Sequence, residues 1–280
     1  MIDLTQLITD SERMLNRLKA RGEKIPLQLI EGLDIQRKNL IQQSDELRNS
    51  RNLENRRVGQ SRTKPSAEHI KSMKGISQKL NDIECDLTGV EQELKDLLLR
   101  IPNVPLDEVP MGDNESDNKI IYTRGNIKDK EVTQPHWDIA PRLGILDMEQ
   151  GVKLAGSKWY VLKGKGAALQ RSLVAWMLEK HHGNGYLEIA PPFLVKKDVM
   201  IGSGNLPKFS ESLYRDFEED LWLIPTSEVA LNSLHYGEII TEELPLKYVA
   251  HSHCFRREKA AAGRETRGIK RVHQFEKVEI

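Results

Sequence analysis

The chain has 280 residues, more than one average domain, and balances 42 Lys plus Arg against 42 Asp plus Glu, so any polyanionic partner must be met by a local basic patch. The first twenty residues mix Asp3, Asp10, Glu12, Arg13, Arg17 and Lys19 with spaced leucines, which excludes a secretory signal core, and no later run is apolar enough to span a bilayer; a cytoplasmic protein without membrane contact is expected. Cys85 and Cys254 lie far apart without CxxC spacing, which argues against a disulfide framework and a cysteine-rich zinc site.

Residues 1–25 read as one amphipathic helix, with Leu4, Leu7, Ile8, Met14, Leu15 and Leu18 on a helical period and Gly22 as its stop, placed to cap the next element. Leu33, Leu40 and Leu47 then repeat at seven, while Arg37, Ser44 and Arg51 interrupt the partner series and Glu54 ends the first. After Ala67 the pattern is complete: Met73, Leu80, Leu87 and Leu94 form one series and Ile76, Ile83, Val90 and Leu97 the other, the a/d seam of a coiled coil. Between the two patterns Gln60–Ser66 is polar, contains Pro65, and is too short for parallel helices, so an antiparallel hairpin over about 27–99 is expected. At 1.5 Å rise per residue, helices of roughly 35 residues give an arm of about 50 Å.

Between Arg37 and Lys79 the chain carries eleven Lys or Arg against four acids, a surplus of seven positive charges toward the far end of the arm. A solvated face accounts for any one of them, but an imbalance of sign concentrated at one end suits a polyanion. Phosphate contacts from a rigid stalk read shape rather than base sequence, so structured RNA is the natural partner. The candidate contacts are Arg48, Arg51, Arg56, Arg57, Arg62, Lys64, Lys71 and Lys74.

Ile101-Pro102-Asn103-Val104-Pro105 ends the second helix, which sets an expected boundary between domains 1–105 and 106–280. After the polar stretch Asp107 to Lys130, Pro135-His136-Trp137-Asp138 opens a mixed α+β region. Ala167 to His182 reads as an amphipathic helix with Leu169, Leu173, Trp176 and Met177 on one face, followed by Gly183-Asn184-Gly185, a strand at Tyr186 to Ile189, and Pro191-Pro192; alone, this unit reads as ordinary packing. His181 and His182 suit the negative end of the helix dipole.

Tyr248 to Arg256 and Arg271 to Glu279 read as two strands joined by the charged, glycine-containing loop Arg257 to Gly268. On the second strand Phe275, Lys277 and Glu279 share one face with His273, and Val272 and Gln274 take the other. Phe275 and Glu279 are thus an aromatic and a carboxylate on one face about 13 Å apart, which suits a nucleotide base at one end and a reacting group beyond the α-phosphate at the other. Arg256 and Arg257 add a positive pair whose forks match phosphate oxygens. His251 and His253 alternate on the first strand but lack a third metal ligand at suitable spacing.

Cys254-Phe255-Arg256-Arg257-Glu258, Ala261-Ala262-Gly263-Arg264-Glu265-Thr266-Arg267-Gly268 and His273-Gln274-Phe275-Glu276-Lys277-Val278-Glu279 together resemble the second signature motif (about 248–280) of bacterial-type seryl-tRNA synthetases. Lys259-Ala260 departs from the Ala-Gly usual after that glutamate. The helix with Pro191-Pro192, about 166–192, resembles the first class II motif, Thr226-Ser227-Glu228 resembles the serine-binding TSE element, and the arm resembles the family's N-terminal domain. The fold implied is α+β: an antiparallel coiled-coil arm followed by part of a class II antiparallel-sheet catalytic domain. The third motif would lie beyond Ile280, so the chain is expected to be a fragment of the enzyme, inactive alone.

The resemblance implies that L-serine and ATP give seryl-adenylate, from which the seryl group passes to tRNA(Ser), recognised through its long variable arm, and also to tRNA(Sec). Arg256 would bind the α-phosphate, Glu258 and the backbone at Val272 the adenine, Phe275 would stack on it, and Arg257 would border the ATP. Thr226, Ser227, Glu228 and Glu279 would form the serine pocket, with Glu279 accepting the substrate hydroxyl; a pocket built to bond that hydroxyl rejects alanine. Arg256 and Glu279 are the catalytic candidates. Magnesium is expected with ATP on ligands outside these residues, so no metal ligand is named, and the first motif implies a homodimer. The competing reading is a non-catalytic, tRNA-binding or dimerising truncated paralogue.

Overall fold

The computed structural model describes residues 2–19, 21–22, 24–61, 66–125, 134–259 and 267–280, which fall in two compact units, Met1–Thr123 and Arg124–Ile280. The first unit opens with two short helices, α1 (Leu4–Thr9) and α2 (Ser11–Lys19), where one helix was expected. Asp3 caps α1, its carboxylate accepting from the Gln6 amide at 2.8 Å, and the backbone leaves the helical region at Asp10 (φ −121°, ψ 42°). The break turns Leu7, Met14 and Leu18 toward the base of the long helices that follow.

Those helices are α3 (Leu27–Ser61) and α4 (Ala67–Arg100), of 35 and 34 residues. Ser66 caps α4, accepting from the His69 amide at 3.1 Å. At the base, Ile30, Leu33 and Leu40 join Val90, Leu94 and Leu98 in one apolar cluster with the N-terminal helices. Farther out Arg48 pairs with Glu84 at 2.8 Å, and the Glu54 carboxylate lies 3.8 Å from His69, so α3 and α4 run antiparallel. The α3 seam continues past the residue expected to end it: Arg51, Glu54 and Val58 all remain half-buried. Its polar members have different fates. Asp34, only 4% exposed, is bracketed by Arg37 at 3.0 Å and Lys38 at 2.7 Å. Ser44 is equally buried, and its hydroxyl has no partner among the described residues.

The compact unit also takes in the segment after Pro105, which arginines of α2 and the turn after it hold. Arg17 donates to the carbonyls of Pro105, Leu106 and Val109, Arg21 to that of Asn103 at 3.1 Å, and Arg13 meets Asp107 at 2.8 Å.

In the second unit α5 (His136–Arg142), β1 (Leu146–Asp147), α6 (Met148–Ala155) and β2 (Val161–Leu162) precede α7 (Lys165–His182). Next come β3 (Leu187–Glu188), β4 (Leu194–Lys196), α8 (Lys197–Gly202), β5 (Arg215–Asp216), β6 (Leu221–Leu223) and α9 (Glu228–Asn232). The long strands β7 (Tyr248–Phe255) and β8 (Gln274–Glu279) end the unit. β4, β6 and β5 form an antiparallel sheet over a core of Val195, Met200, Leu206, Leu213, Trp222, Ile224 and Val229.

A second sheet has the order β3-β7-β8: β7 and β8 are antiparallel, and β3 pairs with β7 in parallel. Helix α7 lies against β7 and β8. Its half-buried residues include Gln170, Val174, Met177 and Leu178, whereas Leu169, Leu173 and Trp176 are exposed, so the face expected to pack internally is largely turned outward.

Candidate functional site

The β7–β8 register builds the site. Ala250, Ser252 and Cys254 stand opposite Glu279, Lys277 and Phe275, and strand alternation puts all six side chains on one face, here called the front. Ala250, Ser252 and Cys254 are fully buried and form its floor. Burial pushes the Cys254 thiol up, which keeps it protonated and inert.

At the inner end of this face stands a polar knot. The Thr226 hydroxyl donates to Glu279, and Lys277 Nζ reaches Glu279 Oε2 at 2.6 Å and Thr226 Oγ1 at 3.0 Å. Burial pushes the Glu279 carboxyl up, but hydrogen bonds from Lys277 and Thr226, with the charges of Lys277 and Arg256, outweigh it and hold the group below the usual carboxylate range. Glu279 is therefore an ionised acceptor at neutral pH. At the outer end the Arg256 guanidinium lies 5.0 Å from the Phe275 ring centre, a cation–π contact that fixes an aromatic plate beside a positive fork. Thr226 and Arg256 also border a 380 Å³ cavity whose lining includes Phe209, Ser212, Leu213, Glu258 and Arg271.

The sequence-based candidates divide. Arg256, Phe275, Thr226 and Glu279 come together on the front face, and Glu258 lines the cavity that Thr226 and Arg256 border. Glu258 has a left-handed backbone (φ 43°); its carbonyl accepts from Lys158 at 2.7 Å and its carboxylate pairs with Arg271 at 3.2 Å. Val272, next to Arg271 in sequence, is buried. Arg256 and Arg257 do not act as a pair. β7 ends at Phe255, and Arg257 turns to the Tyr214 ring, 5.5 Å away, in a separate cavity with Arg215 and Phe217.

Ser227 is fully buried, and its hydroxyl meets that of Ser252, so it supports the floor and does not face the cavity. Glu228 starts α9 and is exposed. On the arm, Arg48 is held by Glu84 and Asp45, whereas the Arg57 side chain is 83% exposed and 3.9 Å from Glu54. Arg62, Lys64 and the motif residues Ala261–Thr266 lie outside the described residues.

Lys277 was not among the candidates, although the alternation that put Phe275 and Glu279 on one face put Lys277 there too. A second omission is the stack behind Arg257: the His273 ring lies 5.5 Å from that of Trp159 and nearly parallel to it, and Tyr214 meets His273 at 2.8 Å. Among the described residues no cluster of three or more His, Cys, Asp or Glu is arranged to hold a metal ion.

Comparisons with known proteins agree on one family. The profile described as "Seryl-tRNA synthetase N-terminal domain" matches residues 1–105, and that described as "tRNA synthetase class II core domain (G, H, P, S and T)" matches 208–280. The serine–tRNA ligase of Dehalococcoides mccartyi is 43% identical over 283 residues, covering 100% of this chain and 67% of the relative. The seryl-tRNA synthetase of Pyrococcus horikoshii, solved in complex with ATP, is similar in structure with a TM-score of 0.86 at 30% identity, over 99% of this chain and 68% of that one. The cytoplasmic serine–tRNA ligase of Naegleria fowleri, solved in complex with AMP, gives a TM-score of 0.76 at 28% identity, over 95% of this chain and 62% of that one.

Proposed function

Because the chain belongs to the seryl-tRNA synthetase family of class II aminoacyl-tRNA synthetases, we propose that its front face belongs to the site where L-serine is activated by ATP and passed to tRNA(Ser). The observation that carries this is the pairing, on one face of one hairpin, of Arg256 over Phe275 with the Thr226–Glu279–Lys277 knot. The serine carboxylate attacks the α-phosphorus, pyrophosphate leaves, and a ribose hydroxyl of the tRNA 3′ end then displaces AMP from the seryl carbonyl. Arg256 steadies charge on the α-phosphate, where a preorganised donor has most effect. Phe275 stacks on adenine, with Glu258 and the Val272 backbone at its edge and Arg257 bordering the nucleotide. Glu279 and Thr226 receive serine, Glu228 stands at the rim, and Ser227 contributes from beneath.

Mg2+ is expected to arrive with ATP, and no ligand for it is assigned in this chain. The arm binds tRNA through Arg48, Arg51, Arg56, Arg57, Lys71 and Lys74, with Arg62 and Lys64 between them in sequence; a helical stalk with a surplus of positive charge supports this. The exposed Leu169, Leu173 and Trp176 of α7 support a homodimer, since a lone chain leaves this apolar ridge in water. No described helix is long and apolar enough to cross a membrane, and the proposed location is the cytoplasm.

The test is serine-dependent ATP–pyrophosphate exchange on this chain and on the protein translated to its own stop codon. Exchange in either supports the proposal. Exchange in neither, with tRNA still bound, would overturn it in favour of a non-catalytic RNA-binding module.

A further inference from the structure

At the loop end of the hairpin the β7–β8 ladder stops one bond short of what its register provides. The register that pairs Phe255 with Gln274 sets Arg256 opposite His273, and the Arg256 amide donates to the His273 carbonyl at 2.9 Å. Two residues paired in this way ordinarily exchange a second bond in return. Here the His273 amide turns instead to the carbonyl of Lys158, at 3.2 Å. Arg257, next along β7, gives its amide to the Ser212 carbonyl at 2.9 Å, so the strands have parted.

Lys158 reaches the first strand as well. Its Nζ donates to the Glu258 carbonyl at 2.7 Å, and its neighbour Trp159 stacks on the His273 ring. Lys158 and Glu258 are two of the three non-glycine residues with positive φ among the described residues, at 62° and 43°. A left-handed backbone costs such residues energy and persists where the surroundings over-determine it. The two strained residues are bonded to each other, so each helps to fix its partner.

The turn that carries Lys158 is firmly placed. Helix α6 stops at Gly156 (φ 93°), and a Cβ on Gly151 of that helix would run into the Trp159 carbonyl, so helix and turn meet backbone to backbone. Lys158 is half-buried, which strengthens a bond from a charged donor. At the other end of that bond the Glu258 side chain is only 10% exposed and is held by Arg271 in the lining of the cavity that Thr226 and Arg256 border.

We propose that Lys158 is a positioning residue for the nucleotide end of the front face. Its carbonyl ends the ladder at His273, and its ammonium locks the Glu258 turn; Arg256 is thereby left free of the second strand to lie over Phe275, and the Glu258–Arg271 pair is set in the cavity wall. The consequence for ATP rests on the proposed function; the coupling of Lys158 to the hairpin does not.

The experiment compares Lys158→Met, Lys158→Gly and Lys158→Arg with wild type. Amide hydrogen exchange at Arg256 and Arg257 is read by NMR on the chain, and the KM values for ATP and serine on whichever form of the protein exchanges pyrophosphate. Glycine adopts φ 62° without steric cost, which offsets the lost bond, so Lys158→Gly remains usable should Lys158→Met not fold. In the Met and Gly variants amide exchange and the KM for ATP should both rise about tenfold, the scale of one lost hydrogen bond from a charged group, with the KM for serine unchanged. Lys158→Arg, which keeps a cationic donor, should stay near wild type. Amide exchange at the wild-type rate in Lys158→Gly overturns the inference, because backbone conformation alone would then place the turn. Faster amide exchange with an unchanged KM for ATP also overturns it, provided that Phe275→Ala raises that KM. If Phe275→Ala leaves the KM unchanged too, the reading of the front face fails, and amide exchange alone decides the role of Lys158.

Discussion

The arm and the hairpin both hold charged residues in place, by opposite means. Along α3 and α4 most basic side chains stand on a solvated surface, and outward of Asp34 the ion pairs they make, such as Arg57 with Glu54, are exposed. On the β7–β8 hairpin Glu279, Lys277 and Thr226 hold one another in a half-buried knot, and Glu276 meets His253 on the opposite face. Exposed pairs contribute little energy and respond to salt, whereas half-buried networks are worth more and their members cannot be removed independently. The arm suits a surface that reads a large polyanion by many replaceable contacts. The hairpin suits a site that must hold a few atoms still.

The largest test of this contrast is Arg256→Ala. Removal of one preorganised donor at the reacting phosphate should lower serine-dependent exchange by about 10²–10³-fold in whichever form of the protein exchanges. The loss should be nearly independent of salt. Steady-state exchange at two ionic strengths checks both points.

On the arm, R56E combined with R57E should weaken tRNA binding by about tenfold at low salt and make the plot of log affinity against log salt shallower by roughly two. ATP–pyrophosphate exchange should not change. Filter binding over a salt series provides the measurement, and an unchanged slope would return these arginines to the status of a solvated face.

A matched pair of serine deletions sharpens the comparison. Ser44→Ala removes a buried hydroxyl without a partner among the described residues and should stabilise the arm by about 1 kcal/mol, whereas Ser252→Ala removes the partner of buried Ser227 and should destabilise the second unit by about the same amount. Thermal unfolding of the two variants should move in opposite directions.

The smallest effect is in pH. Folding holds the Glu279 carboxyl below its ordinary value near 4.5, so the unfolded chain binds its proton more readily. The stabilisation is complete above about pH 4.5 and is lost as pH falls through the lower folded value. Asp34 behaves alike: burial pushes it up, and bonds from Lys38 and Arg37 more than reverse this. Melting curves in this acid range should show a weaker pH dependence for Glu279→Gln than for wild type.

Much of the molecule was legible because it is local. The heptads of Met73 to Leu97 gave α4 and its fold-back on α3, and alternation along β8 gave the front face. What escaped depended on partners distant in sequence. The parallel pairing of Leu187 with Tyr248 leaves no periodic trace, nor do the bonds from Arg17 to carbonyls at and after residue 105. Arg256 and Arg257 diverge because alternation ends with the strand, a boundary that propensity cannot locate to one residue. Lys277 was overlooked for another reason: its face was known, but the Thr226 hydroxyl that makes its position meaningful comes from a different element.

The polar residues on the α3 seam also have a mechanical meaning. Near the base, leucine and isoleucine interlock on both helices, and bending the arm there would have to open apolar contacts. Beyond Leu40 the inward positions of α3 include the polar Ser44, Arg51 and Glu54 among Leu47 and Val58, a mixed seam that resists shear between the helices less. The arm is thus a tapered spring, stiff at its root and increasingly compliant toward its tip. A load carried at the far end by a bulky polyanion would be absorbed as curvature along the outer turns and leave the root undisturbed.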